Sequence, residues 1–445
     1  MVLNITALAG ASKMSLQVSA LQKKIAGHQA VIAVIGLGYV GLPLALSFAR
    51  KGFKTFGVDT NEHRVDVLKT GKSYITDVLA SQVHAMAQGH RFIPTIDLNV
   101  LGQADVIIIC VPTPIKRKYT PDVSFILSAV RSTAKYLKKG ALVVLESTTY
   151  PGTTDELIKP ELEKNGMKAG RDFFLAFSPE RIDPGNKHFE VTSIPKVVGG
   201  LTGDCTQLTA QLYRAIIKHV HVVSSPKAAE MTKLLENSFR IVNIGWINEI
   251  AQTCHKLGID VWEVIDAAKT KPFGFMPFYP GLGVGGHCIP EDPLYLYWKA
   301  KRYGFNSKFI KLAAETNAHM PLYVAHRLET MLKKPLEKCK VLVLGVTYKK
   351  DVKDLRKSPA IKLIDVLRRR AVVDFHDPMI PYLKVDGLDM QGIELSAASL
   401  KRYDVVVIAV DHSKVDYAFV QEHAKKIFDV KNVYNHTQDR KIVRL

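Results

Sequence analysis

Cys288 is the residue of this chain whose surroundings most favour covalent chemistry. It follows Pro280-Gly281-Leu282-Gly283-Val284-Gly285-Gly286-His287 and precedes Ile289-Pro290-Glu291-Asp292, so that four glycines fall within six residues just before it. Such a run makes neither a stable helix nor a strand. It is a loop whose backbone must pass close to something, and a sugar or a phosphate is the natural candidate. A lone thiol can be an inert core residue. Here the permissive loop on one side and Asp292, a proline-restrained carboxylate four residues on, favour a nucleophile. His287 either packs and binds backbone or lowers the pKa of the neighbouring thiol.

A second constellation points to a dinucleotide. Gly36-Leu37-Gly38-Tyr39-Val40-Gly41 follows the β-branched run Val31-Ile32-Ala33-Val34-Ile35, leads into a helix expected from about Pro43 to Arg50, and has Asp59 eighteen residues beyond Gly41. The glycines allow a tight turn and a close approach of backbone to a pyrophosphate, whose charge meets the helix N-terminus. Asp59 would accept hydrogen bonds from the adenosine ribose hydroxyls and repel a 2′-phosphate, which favours NAD over NADP. Arg64 leans the other way, because a guanidinium there could accommodate a phosphate. The alternative is a glycine turn in an α/β fold without ligand. Third, Glu230, Lys233 and Asn237 fall at i, i+3 and i+7 and share one helical face. That face is either a solvated polar stripe or a cation and an amide aimed at a developing oxyanion.

These residues need elements to hold them. Strands expected at Thr55–Val58 and Asp105–Val111, alternating with helices, make the βαβ pattern of a parallel sheet. The pattern recurs near the C-terminus at Lys340–Gly345, Val372–Phe375 and Asp404–Val410. Between the two α/β regions, Ser225-Pro226 supplies a cap and first-turn proline for a long helix, Lys227 to about Lys256. The expected architecture is therefore α/β: two Rossmann-like doubly wound domains joined by a long central helix and a helical middle domain. The boundaries are an extension at 1–28, an NAD-binding domain at 29–222, a central helical domain at 223–330, and a third domain at 331–445.

At 445 residues the chain exceeds what one core organises, and an apolar fraction of 47% with 23% charged residues is ordinary for a globular protein. No uncharged apolar stretch of about 18 residues suggests a membrane span, and residues 1–28 lack the pattern of a signal peptide. Five dispersed cysteines without a C-x-x-C pair argue against a disulfide framework and a zinc site, so no metal is expected and a cytoplasmic setting fits. The formal charge of +19 suits nucleic acid, an acidic surface or anionic small molecules. Its basic residues lie in small groups, such as Lys116-Arg117-Lys118 and Arg368-Arg369-Arg370, with no long basic tract, so no nucleic-acid partner is expected.

Six motifs appear in order: Gly36-Leu-Gly-Tyr-Val-Gly-Leu-Pro-Leu-Ala45, Glu146-Ser-Thr-Thr-Tyr-Pro-Gly-Thr-Thr154, Ser178-Pro-Glu-Arg181, Lys233-Leu-Leu-Glu-Asn237, Gly285-Gly-His-Cys-Ile-Pro290, and Tyr348-Lys-Lys-Asp351 with Arg356-Lys-Ser-Pro359. Over about residues 30–440 they resemble the UDP-glucose/GDP-mannose dehydrogenase family. The resemblance implies an NAD-dependent, four-electron oxidation of a C6 hydroxymethyl group on a UDP-sugar to a carboxylate, with Cys288 carrying a thiohemiacetal and then a thioester. It implies Lys233 and Asn237 as oxyanion donors, Asp292 as a group that helps deprotonate alcohol or water, and Thr148 and Glu180 as residues that order water and assist proton transfer. Locally, Glu180 could equally be a structural partner of Arg181, and Thr148 a turn residue.

To the cofactor set of Gly36 to Gly41, Asp59 and Arg64 the resemblance adds Pro112, Thr113, Ser147, Thr148 and Arg356. To the substrate it assigns Glu180, Arg181, Lys233, Asn237, Tyr279, Gly281, Gly283, Gly285 and Lys349. Gly-Gly-His-Cys-Ile-Pro is similar to the branch acting on UDP-N-acetylhexosamines. Thr270-Lys-Pro-Phe-Gly-Phe275 and Tyr150-Pro-Gly-Thr-Thr154 lean toward the gluco epimer, with UDP-GalNAc, UDP-ManNAc and UDP-glucose as alternatives. Leu282 departs from the branch, which has proline there. A homodimer or higher homo-oligomer across the long helix, supplying surface-polysaccharide synthesis, completes what the resemblance implies. The rivals are a two-electron β-hydroxyacid dehydrogenase, which needs no glycine loop ending in cysteine, and a non-catalytic NAD- or nucleic-acid-binding protein.

Overall fold

The computed structural model describes residues 16–75, 78–116, 119–181 and 193–445. Residues 1–15 of the extension, and Arg117 and Lys118 of the first basic group, lie outside the described residues. The chain divides into two compact units, Met1–Lys233 and Leu234–Leu445.

The first unit is built on β1 (Ile32–Ile35), β2 (Thr55–Val58), β3 (Phe92–Thr95), β4 (Val106–Ile109), β5 (Leu142–Leu145), β6 (Phe174–Phe177), β7 (Lys196–Gly200) and β8 (Val220–Val222). They form one sheet in the order β3-β2-β1-β4-β5-β6-β7-β8, parallel throughout except where β6 meets β7. The central strands are unbroken apolar runs because both faces of the sheet are buried. Ile32 and Val34 enter one core with Phe48 and Tyr213, while Ala33 and Ile35 enter another with Ile107 and Phe177. A side-chain period of two sends neighbours to opposite faces. The strand order reverses between β1 and β4, and the crevice beyond their C-terminal ends is where such sheets bind nucleotides.

The helix after the glycine turn runs Gly41–Arg50, two residues ahead of Pro43. Proline is tolerated in a first turn, whose N–H groups have no intrahelical partner. Part of the N-terminal extension is a helix, Leu16–Ala26, whose Val18, Leu21 and Ile25 are buried in the same core as Phe48 and Tyr213. Asp105 ties this region together, accepting from Val31 N at 2.9 Å and Lys24 Nζ at 2.8 Å.

The long helix, Pro226–Leu257, runs from the first unit into the second. Ser225 caps it, its Oγ accepting from Ala228 N at 3.2 Å. The second unit adds helices Val261–Ala268, Cys288–Arg302 and Lys308–Leu332, then β9 (Lys340–Leu344), β10 (Val372–His376), β11 (Tyr382–Val385), β12 (Leu388–Gln391), β13 (Val405–Ile408), β14 (Ile427–Asp429) and β15 (Ile442–Arg444). Strands β10-β9-β13-β14-β15 form a parallel sheet, and β11 and β12 a separate antiparallel hairpin.

The two sheets repeat one device. Asp59, just after β2, accepts from Leu37 N in the loop after β1 at 2.9 Å. Asp377, just after β10, accepts from Val346 N in the loop after β9 at 2.7 Å. Each carboxylate braces the loop that follows the first strand of its sheet.

Candidate functional site

In the first unit the three glycines of the turn serve two different needs. A Cβ added at Gly36, where φ is +93°, would lie 2.5 Å from Cys110 O, and one at Gly41 would lie 1.9 Å from Gly36 O. Those two glycines are required by the chain itself. At Gly38 an added Cβ meets nothing within 4 Å, so this glycine leaves open the space into which a pyrophosphate fits. Leu37 is buried, Val40 half-buried and Tyr39 exposed. The residues therefore fit a dinucleotide.

Asp59 also accepts from Asn61 N at 2.9 Å, and Arg64 Nη1 lies 3.6 Å from its Oδ2. The same guanidinium sits 5.6 Å above the Tyr74 ring, and Tyr74 donates its hydroxyl to Leu37 O at 2.5 Å. Burial, with Asp59 nearby, pushes the Tyr74 phenol up to about 12, so it remains a donor. Arg64 is thus spent on Asp59 and Tyr74, which weakens its case as a phosphate clamp. Thr113 Oγ1 donates to Thr148 O at 2.7 Å and joins the chain beyond β4 to the chain beyond β5. Ser147 is buried with its Oγ 3.4 Å from Ile109 O, and Pro112 is exposed beside them.

Glu230, Lys233 and Asn237 are all buried, so the stripe they form is no solvated face. Glu230 has a structural task. It accepts from Gly152 N at 2.5 Å, Thr154 N at 2.9 Å and Thr154 Oγ1 at 2.7 Å, satisfying backbone donors at the start of the helical turns after Pro151. Burial nevertheless pushes its carboxyl up to about 7. Glu180 Oε1 accepts from Arg181 N at 2.6 Å, its Oε2 faces Lys196 Nζ at 3.6 Å, and Arg181 Nη1 donates to Pro195 O at 2.7 Å.

In the second unit, Cys288 is the first residue of the helix Cys288–Arg302, and of the five cysteines it alone is half-buried while Cys110, Cys205, Cys254 and Cys339 are buried. A helix N-terminus favours a thiolate. One turn on, Asp292 is fully buried, and Asn237 Nδ2 donates to its Oδ2 at 2.5 Å. His287 stands just before the helix with Nε2 3.5 Å from Glu291 Oε2. Burial, against the pull of Glu291 and with help from Arg356 and Lys357, holds this imidazole below its usual range. It is neutral at neutral pH, so the support for a thiolate comes from the helix and not from an imidazolium.

The glycine loop departs from expectation in what it approaches. A Cβ on Gly283, where φ is +115°, would lie 2.4 Å from Asn317 O. One on Gly285 would lie 2.8 Å from Tyr348 Cβ and 3.0 Å from Lys357 O, and one on Gly286 2.9 Å from the Tyr348 ring. The close neighbours of these glycines are protein, from the helix Lys308–Leu332 and the loop after β9. Gly286 N donates to Arg356 O at 2.9 Å, and Lys357 Nζ reaches Glu291 Oε1 at 2.6 Å. Gly281 differs: a Cβ there meets nothing within 4 Å, and its N–H donates to Asn248 Oδ1 at 2.8 Å. Asn248 in turn donates to Asn317 Oδ1 at 3.0 Å, a buried amide pair absent from the expected site.

Tyr279 stacks on Trp262 at 6.1 Å between centroids. Lys349 offers its carbonyl to Thr347 Oγ1 at 2.9 Å, and Arg356 grips the Asp354 carboxylate through Nε and Nη2 at 2.6 to 3.1 Å. His412 is fully buried against Thr347 and Asp377, with its Nδ1 accepting from Asp351 N at 3.0 Å. It braces the loop that carries Lys349, a role with no signal in the motif spacing. Among the described residues no group of three or more His, Cys, Asp or Glu is placed to hold a metal ion, and no helix is long and apolar enough to cross a membrane.

Three family profiles match the chain: the UDP-glucose/GDP-mannose dehydrogenase family NAD binding domain over residues 30–217, its central domain over 227–319 and its UDP binding domain over 342–436. The chain is 40% identical over 393 residues to a UDP-N-acetyl-D-glucosamine 6-dehydrogenase of Pseudomonas aeruginosa, covering 86% of this chain and 90% of that protein. It is 35% identical to a UDP-N-acetyl-D-mannosamine dehydrogenase of Escherichia coli, covering 91% and 99%. A solved UDP-D-ManNAc dehydrogenase from Pyrococcus horikoshii superposes with a TM-score of 0.85 at 32% identity, covering 93% of this chain and 98% of that one.

Proposed function

Because the chain belongs to the UDP-glucose/GDP-mannose dehydrogenase family, and is therefore an NAD-dependent nucleotide-sugar oxidoreductase, we propose that it oxidises C6 of a UDP-N-acetylhexosamine, UDP-GlcNAc by preference, to the uronic acid through a covalent intermediate on Cys288. The observation that carries this reading is the half-buried thiol opening a helix, one turn from a buried Asp292 that Asn237 holds.

Bound NAD supplies the hydride acceptor for each of the two oxidations. The glycine turn at 36–41 seats its pyrophosphate, and Asp59 its ribose. Asp292 takes the proton of the C6 hydroxyl, and the resulting aldehyde accepts the Cys288 thiolate to form a thiohemiacetal. Lys233 and Asn237, buried one turn apart on the long helix, stabilise the oxyanion. Oxidation of the thiohemiacetal leaves a thioester. Water ordered by Thr148 and Glu180 attacks its carbon, the C–S bond breaks, and carboxylate and thiolate are released. Each alcohol thus consumes two NAD and one water and yields two NADH.

The substrate epimer rests on the similarity to the Pseudomonas aeruginosa enzyme. The Escherichia coli and Pyrococcus horikoshii relatives favour the manno epimer as the second reading. Rates on UDP-GlcNAc, UDP-ManNAc, UDP-GalNAc and UDP-glucose, with NADH counted per sugar, test the proposal. UDP-GlcNAc should be fastest, with a ratio approaching two. A ratio of one would leave a simple alcohol dehydrogenase, and a preference for UDP-glucose would overturn the hexosamine assignment.

A further inference from the structure

Behind Glu180 lies a charge cluster that the roles above do not use. Lys196 opens β7 with its side chain buried; its Nζ pairs with Glu146 Oε1 and stands 3.6 Å from Glu180 Oε2. Tyr213, fully buried on the helix Gly203–Arg214, donates its hydroxyl to Glu146 Oε2 at 2.5 Å and presents its ring 5.2 Å from the ammonium. Cys110, beyond β4, also faces the cluster as a thiol that burial holds well above its usual range.

A buried ion pair is a poor device for stability, since apolar side chains of similar volume often serve as well or better. What a lysine between two carboxylates can do, and an apolar residue cannot, is decide where negative charge sits. Glu146 is anchored on both oxygens, by Lys196 and by Tyr213. At 3.6 Å the ammonium is beyond hydrogen-bond length from Glu180 and acts on it through charge. Burial pushes the Glu146 carboxyl above its usual range against the pull of Lys196, with Glu180 adding to the rise. Burial also disfavours the Lys196 ammonium, but Glu146 and Glu180 outweigh it and keep the ammonium protonated.

We propose that Lys196, braced by Glu146 and Tyr213, is a positioning residue that sets the orientation of Glu180 for hydrolysis of the Cys288 thioester. The inference rests on the covalent reading above. In that step the oxygen of water bonds to the thioester carbon, the C–S bond breaks to return the thiolate, and both protons of water are released, the first to Glu180.

The test uses the purified enzyme and its Lys196→Met, Lys196→Arg and Glu146→Gln variants. It reads kcat, the melting temperature and, after acid quench, the mass of the Cys288 adduct. Without the ammonium, Glu180 loses the charge that holds its carboxylate in place, so in Lys196→Met hydrolysis slows about tenfold or more and the thioester adduct accumulates. Glu146→Gln loosens the anchor of Lys196 and accumulates the adduct to a lesser extent. Lys196→Arg keeps the charge and restores hydrolysis without accumulation. A cluster that only stabilised the fold would lower the melting temperature and leave no adduct, which overturns the proposal. If Lys196→Met does not fold, Glu146→Gln decides alone, and an absence of adduct there overturns it. A wild-type ratio of one NADH per sugar with no Cys288 adduct sinks the covalent reading itself, and this proposal with it.

Discussion

Exchange of the Cys288 thiol for a hydroxyl keeps the shape of the first helical turn and removes the only half-buried thiol of the chain. Cys288→Ser is expected to lose carboxylate formation by about 10³-fold or more while the melting temperature stays within error. Full uronate production by that variant would remove the covalent mechanism. Glu230 makes a separate prediction about stability. Its carboxyl is raised from 4.5 to about 7 by burial, so between those values the folded chain holds a proton that the unfolded chain has released. The associated stability is present below about 4.5 and is lost as pH rises toward about 7, by roughly 3 kcal/mol at most. Gln at this position does not titrate. Urea midpoints at pH 5 and pH 7.5 should therefore converge more closely for Glu230→Gln than for the parent, and equal slopes would refute the assignment.

At the scale of elements, the glycine turn separates what the fold needs from what the cofactor needs. Gly41→Ala forces a methyl to 1.9 Å from Gly36 O and should abolish soluble expression or sharply lower the melting temperature. Gly38→Ala meets no protein atom within 4 Å, so it should fold normally and raise the KM for NAD about tenfold, ~1.4 kcal/mol. An unchanged KM in a well-folded Gly38→Ala would place the pyrophosphate elsewhere. Local periodicity made most of this legible. Apolar runs bounded by Gly, Pro and Asp marked β1, β2, β4, β9, β10 and β13 to within two residues at either end, and Ser225-Pro226 marked the start of the long helix. What stayed hidden depended on residues distant in sequence. Lys196 meets Glu146 across fifty positions and Asn248 meets Asn317 across sixty-nine, and no spacing rule links either pair. A lysine heading the otherwise apolar run Lys196-Val-Val-Gly-Gly was the one available hint. The helix Leu16–Ala26 of the N-terminal extension was legible too, since its buried Val18, Leu21 and Ile25 fall at i, i+3 and i+7, but the segment reads as only weakly amphipathic.

For the whole molecule, the long helix exposes a stripe. Leu235 and Trp246 are 60% and 54% exposed, with Phe239 between them at a spacing that keeps all three on one side. Apolar side chains in such a row suit burial against another chain, so a homodimer across this helix is the expected outcome. Trp246→Glu should shift the mass in solution to that of one chain of 49.5 kDa, read by light scattering. A mass unchanged at the dimer value would move the interface elsewhere, and a monomeric parent would dispose of it.

The crowding of Gly285 and Gly286 against Tyr348 and Lys357 bears on any attempt to retrain the enzyme for another sugar. A mutagenesis library randomised across the glycines beside Cys288 would return mostly misfolded clones, and survivors restored to glycine would say nothing about ligand preference. On the proposed substrate site, diversity is better placed where a side chain has room, at Gly281 or around the exposed Tyr279, where a substitution does not first have to survive folding.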